Sequence, residues 1–170
     1  MAKPGESIVK GFLEGKGLTV IKIPEGEKKT VDFEVYSAAG LVFYLEEKTL
    51  DFTPPAWKDI DPVYNAIAKH VREAGKQFKS VNPERFVPNV LAFTNRNPAR
   101  DINYLFGALT GHVITAGGKM RRLHRPGGME SDPPLINLYL WFDDEQLSGH
   151  IWAENDPDTE TKLAAVLGLE

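Results

Sequence analysis

The spacing of hydrophobic and polar positions changes period several times along this 170-residue chain. Within residues 5–17, Ile8, Val9, Phe12 and Leu13 recur at helical spacing and Gly15 and Gly17 end the pattern, which predicts a first helix. Leu18–Ile23 reads as a short strand. After the polar turn PEGEKK come two β-rich runs, VDFEVY (31–36) and LVFYLEEKTL (41–50), separated by Ser37-Ala38-Ala39-Gly40, the signature of a hairpin. Asp61-Pro62, a capping residue followed by a proline suited to the first turn, opens a second helix expected to reach about Ser80. Val87–Phe93 predicts a strand, Pro98–Leu109 a helix with Ile102, Leu105, Phe106 and Leu109 on one side, and His112–Thr115 another short strand. Residues 116–134, dense in glycine, proline and charge, read as a long exposed loop. LINLYLWF and GHIWA flank DDEQ as a late hairpin, and TETKLAAVLG closes the chain as a helix. Strands interleaved with helices predict an α/β protein, a central mixed β-sheet flanked by helices, in one domain spanning residues 1–170.

The first hairpin carries the informative pattern. Side chains alternate along a strand, so Val31, Phe33 and Val35 share one face while Asp32, Glu34 and Tyr36 share the other. On the second strand Leu41, Phe43 and Leu45 oppose Val42, Tyr44, Glu46 and Lys48. Matching apolar face to apolar face sets Asp32 across from Glu46, Glu34 from Tyr44 and Tyr36 from Val42, with paired Cβ atoms about 5 Å apart. Two carboxylates at that separation repel unless a cation lies between them. Mg²⁺ meets the need: it takes hard oxygen ligands, typically one or two carboxylates with waters completing the shell. Lys48, two residues beyond Glu46 on the same face, is then positioned to orient a water. The plainer alternative is a solvated strand face on which Lys48 pairs with Glu46 or Asp32.

Asp32 followed fourteen positions later by Glu46-Glu47-Lys48, with a helix before and a helix after, resembles the PD-(D/E)xK nuclease superfamily over residues 5 to about 95. The resemblance implies a restriction-endonuclease-like core (5–95), followed by a C-terminal extension (96–170), and Mg²⁺-dependent hydrolysis of DNA phosphodiester bonds, with Mn²⁺ as a substitute ion. It implies Asp32 and Glu46 as metal ligands, Glu6 on the first helix as a further acidic ligand, Lys48 as the motif lysine and Gln77 as the glutamine of the following helix. Val31 stands where the motif's proline would be. A homodimer is also implied, with the late hairpin residues Leu138, Leu140, Trp141 and Ile151 as its expected interface.

Winding residues 61–80 at helical pitch puts Val63, Ile67, Val71, Ala74 and Phe78 within an arc of about 80°. Lys69, Arg72, Lys76 and Lys79 form a second, basic stripe turned away from it, and His70 and Gln77 lie together on a flank. The stripe is a candidate phosphate-binding ridge or else a solvated face. The same two alternatives apply to Lys119, Arg121, Arg122, His124 and Arg125 in the long loop. His70 reads as a boundary residue, and Trp141 and Trp152 as core or strand-pair aromatics. Phosphate-binding glycine loops and the G-x-S-x-G elbow are absent from the sequence.

Composition narrows the remaining classes. With 42% hydrophobic and 10% aromatic residues the chain supplies a core, and no apolar run approaches the roughly 18 residues of a membrane helix. The absence of cysteine excludes disulfides, thiolate zinc sites and cysteine nucleophiles, and the first ten residues lack an apolar secretory core, so a cytoplasmic protein is expected. The net charge of −4 argues against a polyanionic partner only until it is divided. Residues 143–170 hold eight acids and one lysine, whereas residues 58–125 hold twelve bases and five acids. The acidity therefore belongs to the C-terminal end and says little about the surface beside the hairpin. Two rivals stand beside a DNA nuclease: a catalytically inactive nuclease-like module that binds nucleic acid or protein, and an unrelated α/β domain whose hairpin face is covered by a partner.

Overall fold

The computed structural model describes residues 3–51, 61–114, 117–122, 135–153 and 155–170. Its elements run α1 (Pro4–Gly15), β1 (Thr19–Lys22), β2 (Phe33–Ser37), β3 (Gly40–Leu50), α2 (Asp61–Val81), β4 (Asn89–Asn95), α3 (Ile102–Thr110), β5 (His112–Ile114), β6 (Met120–Arg122), β7 (Leu138–Asp143), β8 (Gln146–Trp152) and α4 (Pro157–Leu167). Six strands form one mixed sheet in the order β1-β2-β3-β4-β7-β8, and β5 pairs with β6 in a separate two-stranded sheet. The interior strands β3, β4 and β7 are parallel, and antiparallel pairs close both edges. The fold is thus α/β, with a central mixed sheet flanked by helices, as the alternation of periods predicts.

Both faces of the sheet are covered, which explains why β4 and β7 read as continuous apolar runs rather than alternating ones. All seven residues of β4 are buried. On one face α2 and α3 pack Ile67, Val71, Phe78 and Leu105 against Leu91, Phe93 and Trp141. On the other, α1 and α4 pack Val9, Leu13, Leu163 and Leu167 against Phe43, Leu45, Val90 and Leu140. The residues after 95 therefore supply two strands of the main sheet and one helix of each of its two covers. Among the described residues, no helix is long and apolar enough to cross a membrane.

Several expectations need correction. The hairpin pairs Phe33 with Leu45 and Glu34 with Tyr44 as the alternation requires, but a bulge between Val35 and Tyr36 sets Tyr36 opposite Leu41, not Val42. Gly40, at φ 125°, takes a conformation closed to most side chains where the chain re-enters the sheet. The strand expected from Val87 begins at Asn89, because Val87-Pro88 precedes the ladder and Pro88 has no amide to donate. The helix expected from Pro98 begins at Ile102, capped by the Asp101 carboxylate, which accepts a 2.9 Å hydrogen bond from the Asn103 amide. The long loop contains β6. Leu138, Leu140 and Trp141 are fully buried within the chain's own core, so they offer no surface to a second copy; β7 is an interior strand, and the exposed edge belongs to β8.

Candidate metal and phosphate site

The hairpin register and the first turn of α1 converge on one corner of the sheet. Asp32 precedes β2 directly, and its Oδ2 accepts a 2.8 Å hydrogen bond from the Glu47 amide, so the backbone of β3 fixes the carboxylate next to the Glu46-Glu47-Lys48 segment. Glu46 is 2% exposed. One of its oxygens, Oε1, meets Lys48 Nζ at 2.8 Å, while Oε2 is buried and meets no hydrogen-bond partner among the described residues. Burial, reinforced by the charge of Asp32 and opposed by Lys48 and Gln77, pushes the Glu46 carboxyl up to about 7. A buried carboxylate oxygen left unmet costs free energy.

Lys48 is held from a second direction. Its ammonium donates to Gln77 Oε1 at 3.1 Å, and Gln77 Nε2 donates in turn to the Thr30 carbonyl at 2.8 Å. The amide of Gln77 therefore ties α2 to the segment before β2 and fixes the lysine between them. Glu6, 2% exposed on α1, reaches the same corner. Lys22 Nζ lies 3.1 Å from Glu6 Oε2 and 2.9 Å from Asp32 Oδ1, and Lys3 approaches Glu6 Oε1 at 3.8 Å. Although burial acts to lower the Lys22 pKa, its hydrogen bonds and charge contacts with Asp32 and Glu6 prevail and hold it above the usual lysine value.

These groups open into a cavity of about 280 Å³ whose lining includes Lys3, Lys22, Lys28, Lys29, Asp32, Glu46, Lys48 and Gln77. Sequence reasoning found Asp32, Glu46, Lys48, Gln77 and Glu6, and the structure brings all five together. It missed Lys22, Lys28 and Lys29. Lys22 was discoverable in principle, since a strand running antiparallel to β2 must end near Asp32. The basic stripe of α2 is not part of the cavity: Lys69, Arg72, Lys76 and Lys79 are exposed, and none lines it. Glu73 lines the cavity and lies 4.0 Å from Lys69. Arg122 is exposed on β6; the Arg121 side chain, together with His124 and Arg125, lies outside the described residues. Burial first, then the Lys48 charge, lowers the His70 pKa, which suits its assignment as a boundary residue.

Behind the site, on the opposite face of β3, Glu47 is also buried. Its Oε1 accepts hydrogen bonds from the Thr49 and Thr94 hydroxyls. A Cβ at Gly5 would collide with that carboxylate, so glycine is required for α1 to approach the sheet this closely. That contact is what delivers Glu6 to the corner.

A larger hollow lies elsewhere, about 790 Å³ between α1, the β7–β8 turn and the end of α4. Its charged residues, Lys16 and Glu145, are exposed, and nothing in it resembles the buried unmet oxygen of Glu46. Among the described residues, no group of three or more His, Asp or Glu side chains is gathered closely enough to hold a metal ion. Asp32 and Glu46 supply the two carboxylates that Mg²⁺ commonly uses. No family model, curated protein or solved structure matches the chain.

Proposed function

We propose that the chain is a Mg²⁺-dependent nuclease that hydrolyses DNA phosphodiester bonds, with a PD-(D/E)xK-type site at Asp32, Glu46 and Lys48. The observation that carries this reading is Glu46: a buried carboxylate with one oxygen salt-bridged to Lys48 and the other unmet. Of the three carboxylates Glu6, Asp32 and Glu46, the first two share Lys22, Glu6 also meets Lys3 at 3.8 Å, and Glu46 has Lys48 on one oxygen alone. Asp32 and Glu46 would hold a divalent ion here, which would supply positive charge toward a phosphodiester. Such an ion, when bound, stabilises charge on a phosphoryl oxygen and acidifies a coordinated water.

The chain's own groups do the rest. Lys48, clamped by Glu46 and Gln77, presents one ammonium to the cavity and orients the attacking water by donating to it. Gln77 acts as a positioning residue, since its two hydrogen bonds fix the lysine rather than the phosphate. Lys28 and Lys29 at the rim draw in the polyanion. A rival, the nuclease-like binding module without catalysis, draws on one fact: Lys22 already neutralises part of Glu6 and Asp32.

Cleavage assays decide between them. With Mg²⁺ or Mn²⁺ and plasmid or oligonucleotide DNA, Asp32→Asn, Glu46→Gln and Lys48→Ala should each lower the rate by about 10²-fold or more while leaving the melting transition cooperative. Salt-dependent DNA binding without cleavage in either ion is the result expected of the rival. Cleavage that survives all three substitutions overturns the assignment.

A further inference from the structure

Lys22 is not the motif lysine, yet its ammonium is the more deeply engaged of the two in carboxylate contacts. One nitrogen bridges Glu6 Oε2 at 3.1 Å and Asp32 Oδ1 at 2.9 Å. Its Nζ lies over the Phe33 ring, 5.1 Å from the centroid, and the strand register pairs Lys22 with Phe33. The strand fixes where the side chain starts and the aromatic ring fixes its course, so the charge is held in one place. The Glu6 side chain is 3% exposed, and among the described residues its other cation is Lys3, at 3.8 Å. Without Lys22, two carboxylates would share a poorly hydrated corner, the same conflict that Asp32 and Glu46 present on the other side.

We propose that Lys22 fills the second cation position of the site, so that the protein binds one divalent ion, between Asp32 and Glu46, and not two. This inference rests on the metal reading of Asp32 and Glu46 given above. Asp32 Oδ1 is held by Lys22 and its Oδ2 by the Glu47 amide, and beside it stands Glu46, whose Oε2 meets no hydrogen-bond partner among the described residues. Glu6 is consequently a partner of Lys22 and not a metal ligand. Charge favours the same arrangement: a second divalent ion beside Glu6 and Asp32 would lie against an ammonium already 3.1 Å from one and 2.9 Å from the other.

The test counts ions and needs no substrate. Mn²⁺ alone is titrated into the full chain by calorimetry, with bound ion counted independently by electron paramagnetic resonance. Wild type and Lys22→Arg should bind one Mn²⁺ per chain, Lys22→Met should bind two, and Lys22→Met combined with Glu6→Gln should return to one. Glu6→Gln alone, which keeps Lys22, guards against misfolding of the methionine variant: it should leave one ion bound with affinity changed by less than about threefold, whereas loss of a true ligand costs about tenfold or more. Two ions in wild type, one ion in a folded Lys22→Met variant, or a tenfold loss in Glu6→Gln each overturns the inference while leaving a metal site in place. No ion bound by wild type or by any variant overturns the metal reading itself.

Discussion

Glu46 shows how a single side chain can be costly to the fold and useful to the site. Its carboxyl is pushed up to about 7 by burial, helped by Asp32, against an ordinary value of 4.5. In the unfolded chain it ionises near that ordinary value, so between pH 4.5 and 7 the folded state binds more protons than the unfolded one. Stability then falls as pH rises through this window, the opposite of the usual carboxylate in a salt bridge. Without metal, the stability of wild type relative to Glu46→Gln should fall by about 2–3 kcal/mol between pH 5 and pH 8, measured by urea denaturation of both proteins across the range. A flat difference would mean that Glu46 is ionised throughout. A divalent ion needs the deprotonated form, so its affinity should rise over the same interval and its binding near pH 7 should release a proton.

At the level of elements, α2 has two working edges of different kinds. His70, Glu73 and Gln77 recur at i, i+3 and i+7 and face the site, with Glu73 and Gln77 lining the cavity, whereas Lys69, Arg72, Lys76 and Lys79 point to solvent. The segment between β1 and β2 brings Lys28 and Lys29 to the cavity rim instead. Replacing Lys28 and Lys29 with alanine should therefore weaken DNA binding more than replacing Lys76 and Lys79, and should reduce the magnitude of the salt slope by about 2; the reverse ranking would make the α2 stripe the phosphate ridge. The difference between these two basic groups also marks where sequence is informative. Alternation along residues 31–50 pointed to Asp32, Glu46 and Lys48, because a one-residue slip would bury charge, but it failed at Val31, which precedes β2 and packs on the α2 side of the sheet while Phe33 and Val35 pack on the α1 side. It did not reveal the bulge at Val35/Tyr36, since an extra residue near the turn leaves no trace in the alternation. Helical winding separated the stripe from Gln77 correctly, but it cannot say which neighbouring element a flank meets. Lys22, Lys28 and Lys29 escaped notice because a lysine at a strand end or in a polar turn looks solvated until the chain beside it is known.

On the scale of the whole molecule, the sheet separates two electrostatic sides. α4, with Asp158 and Glu160 in its first turn, covers the face opposite α2, so the acid-rich C-terminal end is kept away from the basic helix by the thickness of the sheet. The same placement should make residues 135–170 necessary to the site, although none of those described lines its cavity. β4 runs between β3, which carries Glu46 and Lys48, and β7, and all seven of its residues are buried. A chain ending at residue 134 would turn β4 into an edge strand, strip Leu163 and Leu167 from Val9 and Leu13, and expose both core clusters at once. Lost burial on that scale exceeds the 5–15 kcal/mol that holds a typical domain folded. The shortened chain should therefore show no cooperative thermal transition and bind no Mn²⁺, whereas the full chain should show both. A cooperative transition in residues 1–134, with Mn²⁺ binding intact, would make the late hairpin and α4 an appendage to an independently folding core. The burial of Leu138, Leu140 and Trp141 inside that core argues for the first outcome, because these side chains complete the packing around the strand on which β3 and the site depend.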